Sequence, residues 1–422
     1  PTTPRSPPTP RNCDLTAPAS DDIPGKWPTL LILSAAQLLA MAVWFSASAV
    51  VGPLTALWEL GDSGRSWLTM SVQAGFVAGA LASALLNLAD RIAAPRLFAV
   101  CAVLAGVATA LIPVFPDGPA PAMALRFLTG LLLAGVYPVG MKIMAGWTRR
   151  DRGLGIGLLV GALTIGSASP HLVNALGGTG DWRLVLHVSA ALAIAGGLLC
   201  AATIREGPFA APAPRFNAKY VAHIFSDRDL VLANLGYLGH MWEVYAMWAW
   251  IPGFLIGSFA IAGVDAKWGS AAAFAVIAAG GLGSLVAGIL ADRIGRTPLA
   301  IASLVVSGAC CLTVGFLYGG SPIALTALCL VWGFAVVADS AQFSACVSEL
   351  ADREYVGTAL TLQTSLGFLL TLATIRLVPT MQEWVGVEHA FAFLAVGPAL
   401  GVWAMWALRR SPAASKLAGG RG

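Results

Sequence analysis

Charge is what this sequence has least of. Asp, Glu, Lys and Arg make up 11% of its 422 residues, against about 25% in an ordinary soluble domain. No GxxxxGK[ST] loop is present to cradle phosphates, and no HExxH pair to hold zinc. GGTGD at 177–181 falls in an outer loop, and no Ser or Cys nucleophile stands at a recognisable spacing from a base. Neither an enzyme nor an ATP-driven pump is expected, and no cofactor. There is no CxxC: Cys101, Cys200, Cys310, Cys311 and Cys329 sit in apolar runs, where a thiol behaves as a small hydrophobe. The first 27 residues have no apolar core of the kind a signal peptide carries. They are rich in Pro, Ser and Thr, which predicts a disordered segment over 1–27.

What the chain has is apolar length. Hydrophobic residues make up 57% of it, and mean hydropathy is +0.77. Runs of about 20 apolar residues each suffice to cross a bilayer as a helix. Twelve are present, near 29–54, 67–87, 97–116, 122–146, 154–176, 183–203, 230–256, 268–290, 299–318, 322–345, 356–378 and 389–408. The fold class is therefore an all-α polytopic membrane protein with twelve transmembrane helices. With both termini inside, nineteen of the Lys and Arg residues fall on inner segments and only Arg65, Arg183 and Lys267 on outer ones. That bias predicts cytoplasmic termini. It also explains the formal net charge of +4 without nucleic acid.

LADRI occurs at 88–92 and again at 290–294, an offset of 202 residues. Asp151-Arg152 and Asp352-Arg353 echo each other at offset 201. The longest connection, 204–229, separates the two sets of six runs. The expected organisation is thus a bundle over 28–203, a cytoplasmic linker over 204–229, a second bundle over 230–408 and a polar tail over 409–422. Two parallel six-helix halves are the plan of one large class of secondary transporters.

These motifs resemble the major facilitator superfamily. GILADRIGRTP at 288–298 is similar to that family's loop between spans 8 and 9. LNLADRIAAPR at 86–96 is the weaker copy between spans 2 and 3, and Arg126-Phe127-Leu128-Thr129-Gly130 resembles the family's span-4 motif. Within the family the chain is similar to the cyanate- and nitrate-type anion porters, although spans 2 and 8 lack the arginines that nitrate porters carry there. The resemblance implies alternating access through a cleft between the halves. It also implies a gate latch built from Asp90, Arg91, Gly288, Asp292, Arg293, Gly295 and Arg296. In span 5, Gly153, Gly155, Gly157, Gly161 and Gly166 would let a helix of the other half approach closely.

Ionisable residues inside spans are costly and face a pathway or a partner. Glu243 lies mid-span 7 on a stripe with His240, Met247 and Trp250, which marks Glu243, His240 and Met247 as path residues. Asp339, in the inner half of span 10, is a second proton carrier or an ion-pair partner. Arg126, nearly on the face of Tyr137, offers a forked donor for an anion or an acidic partner. Arg376, near the outer end of span 11, is a further path candidate with snorkelling as the alternative, and Lys142 lies where snorkelling explains it. Trp44 with Gln37, Met41 and Ser48, then Gln73, Gln342 and Gln363, are candidate cavity linings. No metal site is expected, since His240 and Met241 point apart.

The expected function is proton-coupled movement of a small organic or inorganic anion across a bacterial cytoplasmic membrane. The chain is expected to act as a monomer whose partners are solute, protons and lipid. Proton-driven efflux of aromatic compounds and a transporter-like sensor are the alternatives.

Overall fold

The computed structural model describes residues 23–114, 118–148, 152–177, 181–210, 218–352 and 355–422. Expectations for 1–22, for Asp151 and Arg353 and for 211–217 lie outside the described residues, as does the side chain of Asp292.

Eleven helices among the described residues are long and apolar enough to cross a membrane. They are span 2 (Asp62–Leu86), span 3 (Ala94–Val114), span 4 (Pro119–Trp147), span 5 (Gly153–Leu176), span 6 (Trp182–Thr203), span 7 (Arg228–Ile261), span 8 (Ala266–Ala291), span 9 (Arg296–Leu317), span 10 (Pro322–Leu350), span 11 (Val356–Val385) and span 12 (Ala392–Arg409). Acidic and hydroxyl caps set several starts. Asp181 accepts from Leu184 N, Asp227 from Asp229 N and Leu230 N, Asp265 from Lys267 N, and Ser321 from Ala324 N. Each cap satisfies an amide that the helix itself cannot.

The first crossing corrects the sequence reading of one unbroken run at 29–54. Helix Lys26–Met41 stops, and the chain turns through 42–47 before resuming as a 3₁₀ turn, Ser48–Val50, and a helix, Val51–Trp58. These pieces together form span 1. Hydropathy is blind to such a break, because the residues within it are as apolar as those beside it. Spans 4 and 10 are also interrupted. Span 4 divides into Pro119–Leu133 and Tyr137–Trp147, with Pro138 opening the second piece. Proline lacks the amide an unbroken helix would need there. Span 10 divides at a single residue, Asp339, between Pro322–Ala338 and Ser340–Leu350.

Spans 1–6 and spans 7–12 pack as two interacting helical bundles. Large apolar side chains such as Leu176, Phe316 and Ile323 remain exposed on the outer surface, as suits a solvent of lipid tails. Two seams join the bundles. Along spans 5 and 8 the backbones nearly touch: a Cβ on Gly161 would sit 3.1 Å from Gly281 O, and one on Gly288 would sit 2.8 Å from Gly153 O. At one end of this seam Asn174 Nδ2 donates to Ser270 Oγ at 3.1 Å. The second seam runs between spans 2 and 11, where Phe76 meets Phe368 with ring centroids 4.6 Å apart.

The connecting helix Ala218–Ser226 docks on span 11 through Tyr220, whose ring stacks on Tyr355 at 4.2 Å. The polar tail folds back on the second bundle. It forms a 3₁₀ segment, Pro412–Gly419, and returns so that Gly422 O accepts from Thr297 Oγ1 at 2.8 Å.

Candidate functional site

A cavity of about 370 Å³ lies between the bundles. Tyr137 of span 4 and Thr164 of span 5 form one wall; Tyr237, His240, Tyr245 and Trp248 of span 7 and Phe368 of span 11 form the other. Its mouth is at Gly153, Gly288, Arg296, Ser348 and Glu349, where Ser348 is exposed. A side chamber of about 270 Å³ lies against Asn87, Asp90, Lys142 and Thr361 and shares Leu360 and Thr364 with the main one.

The deep end is shut by aromatic rings. Trp44 packs on Phe76, Tyr245 and Phe368 with centroids 5.1, 5.9 and 5.6 Å apart. Tyr245 packs on Trp248 at 5.3 Å, and Phe45 meets Trp248 edge-on at 5.9 Å. Both bundles contribute rings, so the plug is also an inter-bundle contact. The cavity is closed at this end and open at the mouth.

A buried titratable pair reaches its deeper wall through His240. His240 Nδ1 lies 2.9 Å from Asp339 Oδ1, and both side chains are almost wholly buried. The break in span 10 makes this possible, because Asp339 sits between two helical pieces rather than inside one. The two groups stand in contact across spans 7 and 10, out of reach of water.

Glu243 is not on the cavity wall. It points into the second bundle, accepting from Ser307 Oγ at 3.0 Å, Cys311 Sγ at 3.2 Å and Trp332 Nε1 at 2.5 Å. The expected stripe of His240, Glu243, Met247 and Trp250 is therefore split. Helical residues turn about 100° each, so Glu243 lies about 60° round the helix from His240 in one sense, while Tyr237, Val244 and Trp248 lie in the other. Met247 is fully buried away from the wall, and Trp250 Nε1 donates to Ile375 O at 3.0 Å.

Arg126 is also withdrawn from the cavity. Fully buried, it donates from Nη1 to Val43 O at 2.7 Å and Ser46 Oγ at 3.3 Å, from Nε to Leu68 O at 3.3 Å, and from Nη2 to Trp44 O. The carbonyls at 43 and 44 belong to the break in span 1. A backbone opened in lipid must find partners, and the guanidinium fork provides them.

The two loop motifs are built unequally. Asp90 accepts from Lys142 Nζ at 2.6 Å, so the first copy ties spans 2 and 4, while Arg91 is exposed. In the second copy Arg296 bonds Glu349 Oε1 at 2.8 and 3.1 Å and Gln342 Oε1 at 3.1 Å. Glu349 Oε2 in turn accepts from Ala418 N at 2.9 Å. Arg293 is exposed. Gly295 takes φ +99°, and a Cβ there would meet Arg421 O at 2.5 Å. Gly288 serves the span 5–8 seam rather than a turn.

Among the remaining candidates, Tyr137 and Gln342 line the cavity and Trp44 belongs to the plug. Gln73 is fully buried with neither amide atom partnered among the described residues. Gln363 Oε1 accepts from Ser344 Oγ at 3.3 Å, and Arg376 is half-buried near the far end of span 11. The sequence reading passed over Tyr237, Tyr245, Trp248, Phe368 and Thr164. A signal existed for the first three: with His240, Met241 and Val244 they form one helical stripe of span 7.

Comparison with known proteins supports the architecture. No functionally curated protein matches the sequence. Solved structures do. The nucleoside transporter NupG, solved as a point mutant, superimposes with a TM-score of 0.69 at 16% identity, covering 90% of this chain and 99% of that one. The xylose transporter XylE from E. coli, in a partially occluded inward-open conformation, gives 0.69 at 15% identity over 90% of this chain and 97% of that one. A D-xylose–proton symporter gives 0.71 at 16% identity over 91% and 97%. These are sugar and nucleoside carriers, so the narrower likeness to cyanate- and nitrate-type porters finds no support in them. At such identities they speak for the fold. The sequence model of the Major Facilitator Superfamily matches residues 33–369, and the chain therefore belongs to that superfamily of membrane transporters, a transport fold rather than an enzyme.

Proposed function

We propose that the chain moves a small uncharged solute coupled to a proton, with His240 and Asp339 carrying the proton. The observation that supports this reading most is the 2.9 Å pair at the edge of the inter-bundle cavity. Protonated together they are neutral as an ion pair; loss of one proton leaves a buried negative charge. A charge unpaired in a low-dielectric site is costly. Solute binding and proton binding at the same wall can therefore bias each other.

The expectation of an anion rested on Arg126. With Arg126 committed to backbone carbonyls, no lysine or arginine among the described residues lines the deep part of the wall. Arg296, at the mouth, is paired with Glu349. An uncharged solute suits this wall better. The aromatic plug favours a second reading on direction, in which a flat solute leaves by the same path.

The charge bias of the sequence supports placing the mouth and both termini in the cytoplasm, with bundles 28–203 and 230–408 rocking about the two seams. In this conformation the Arg296–Glu349 pair braces the mouth and the Asp90–Lys142 pair stands against the side chamber. A single chain encloses the whole cavity, which supports a monomeric working unit. The test is flux in proteoliposomes under an imposed pH gradient, with uridine, D-xylose, nicotinamide and benzoate as probes. An uncharged probe should accumulate only with the gradient, and His240→Gln should abolish accumulation while leaving exchange. Accumulation indifferent to pH, or confined to benzoate, would reject the reading.

A further inference from the structure

Span 4 breaks at residues 134–136, so Tyr137 opens its inner piece, Tyr137–Trp147, on the first bundle's side of the cavity. Tyr245 of span 7 stands on the second bundle's side. Its ring is fixed by the plug, with centroids 5.3 Å from Trp248 and 4.9 Å from Phe368. A buried phenol usually finds a partner for its O–H. Tyr237, on the same stripe of span 7, has one in Thr364. Tyr137 and Tyr245 have none among the described residues, yet their hydroxyls are not sealed as Trp44 Nε1 and Trp248 Nε1 of the plug are. Both oxygens are open to the cavity that their rings line, and they stand close enough for each to feel a charge on the other.

We infer that Tyr137 and Tyr245 determine specificity: their hydroxyls hold, from opposite bundles, an uncharged solute that carries hydrogen-bonding groups on two opposite edges. A phenol O–H both donates and accepts, so each can meet a hydroxyl, carbonyl or amide edge. A solute polar on one edge alone satisfies one bundle and leaves the other hydroxyl dry and unpaired. Sites built to hydrogen-bond a ligand reject the analogue that lacks the matching group for this reason. No lysine or arginine among the described residues lines this depth of the wall, so a formal negative charge on the solute would find neither to pair with. The two tyrosines belong to different bundles, so a solute that bridges them ties its own binding to the conformation in which the bundles face each other this closely.

This rests on the proposed transport cycle and deepens it, and one pair of measurements separates the two. Binding of uridine, D-xylose and nicotinamide, each polar on two edges, is measured by equilibrium dialysis on purified wild type, Tyr137→Phe, Tyr245→Phe and Tyr318→Phe. Gradient-driven flux of the same probes is followed in parallel. Each substitution keeps the ring and removes the O–H; Tyr318, which packs on Phe254 away from the cavity, controls for the bare loss of a phenol. At least one probe should bind both cavity variants about tenfold more weakly and Tyr318→Phe as it binds wild type. The melting temperatures of the ligand-free cavity variants should not fall, because no hydrogen bond within the protein has been removed. Benzyl alcohol, polar at one end only, should not displace the bound probe at equal concentration. Equal binding to wild type and either cavity variant, no binding of any probe to wild type, a lowered melting temperature, or displacement by benzyl alcohol overturns the inference. A tenfold loss of binding in a protein that shows no gradient-driven flux overturns the coupling reading and leaves the role of the two tyrosines standing.

Discussion

His240 Nδ1 meets Asp339 Oδ1 at 2.9 Å across two helices, at the point where span 10 breaks. His240 is on the cavity wall; Asp339 stands behind it. The imidazole therefore has one edge fixed by a carboxylate and a ring that borders the path. In the proposed cycle the pair would make proton binding a property of the cavity rather than of the bundle interior.

Replacing Asp339 by Asn should uncouple transport. The amide keeps shape but not charge, so the imidazole loses its ionic partner. Accumulation under a pH gradient should fall at least tenfold, while solute exchange without a gradient should change less than threefold. Parallel initial-rate assays in proteoliposomes decide this, and an equal loss in both would assign the pair a structural role.

Arg126 should matter for stability more than for recognition. Replacing it by Met strands the carbonyls of Val43 and Trp44 in the break of span 1. Each unsatisfied buried group costs about 1–3 kcal/mol, so a loss on the order of 3 kcal/mol is expected. Thermal unfolding in detergent measures it; an unaltered melting temperature with lost binding would instead place Arg126 in the solute site.

Glu243→Gln tests the three hydrogen bonds inside the second bundle. The amide oxygen can still accept, but the NH₂ group has to face Ser307, Cys311 or Trp332, all now donating to the carboxylate. A loss of about 1–3 kcal/mol in stability is expected, with the proton-to-solute ratio unchanged. Arg376→Gln, at a half-buried position, should shift stability by less than about 0.5 kcal/mol. A changed proton ratio in the Glu243 variant would return that residue to the pathway.

The seam between spans 5 and 8 should report the cycle. Asn174 and Ser270 touch at 3.1 Å in this conformation. Cysteines introduced at both positions and bridged by a short bifunctional thiol reagent should stop net transport, with recovery when a cleavable bridge is cut. Gly161→Val, which places methyl groups against Gly281 O, should reduce the bridging yield severalfold. Full transport by the bridged protein would show that the seam stays shut throughout the cycle.

The sequence by itself determined the class, the number of crossings and the two-fold plan, because bilayer thickness and the cost of buried charge act directly on composition. LADRI repeated at a distance of 202 residues is visible without coordinates. The ionisable residues inside the spans were visible too, since charge in lipid always stands out. What they face was not. Glu243 and His240 are three residues apart on one helix, yet one is sealed among Ser307, Cys311 and Trp332 while the other borders the cavity. Only the packing of neighbouring helices decides between the two sides of span 7. The same holds for Arg126, whose partners exist because span 1 breaks at residues as apolar as their neighbours. Periodicity gives a residue its angle on a helix, and tertiary structure decides what stands at that angle.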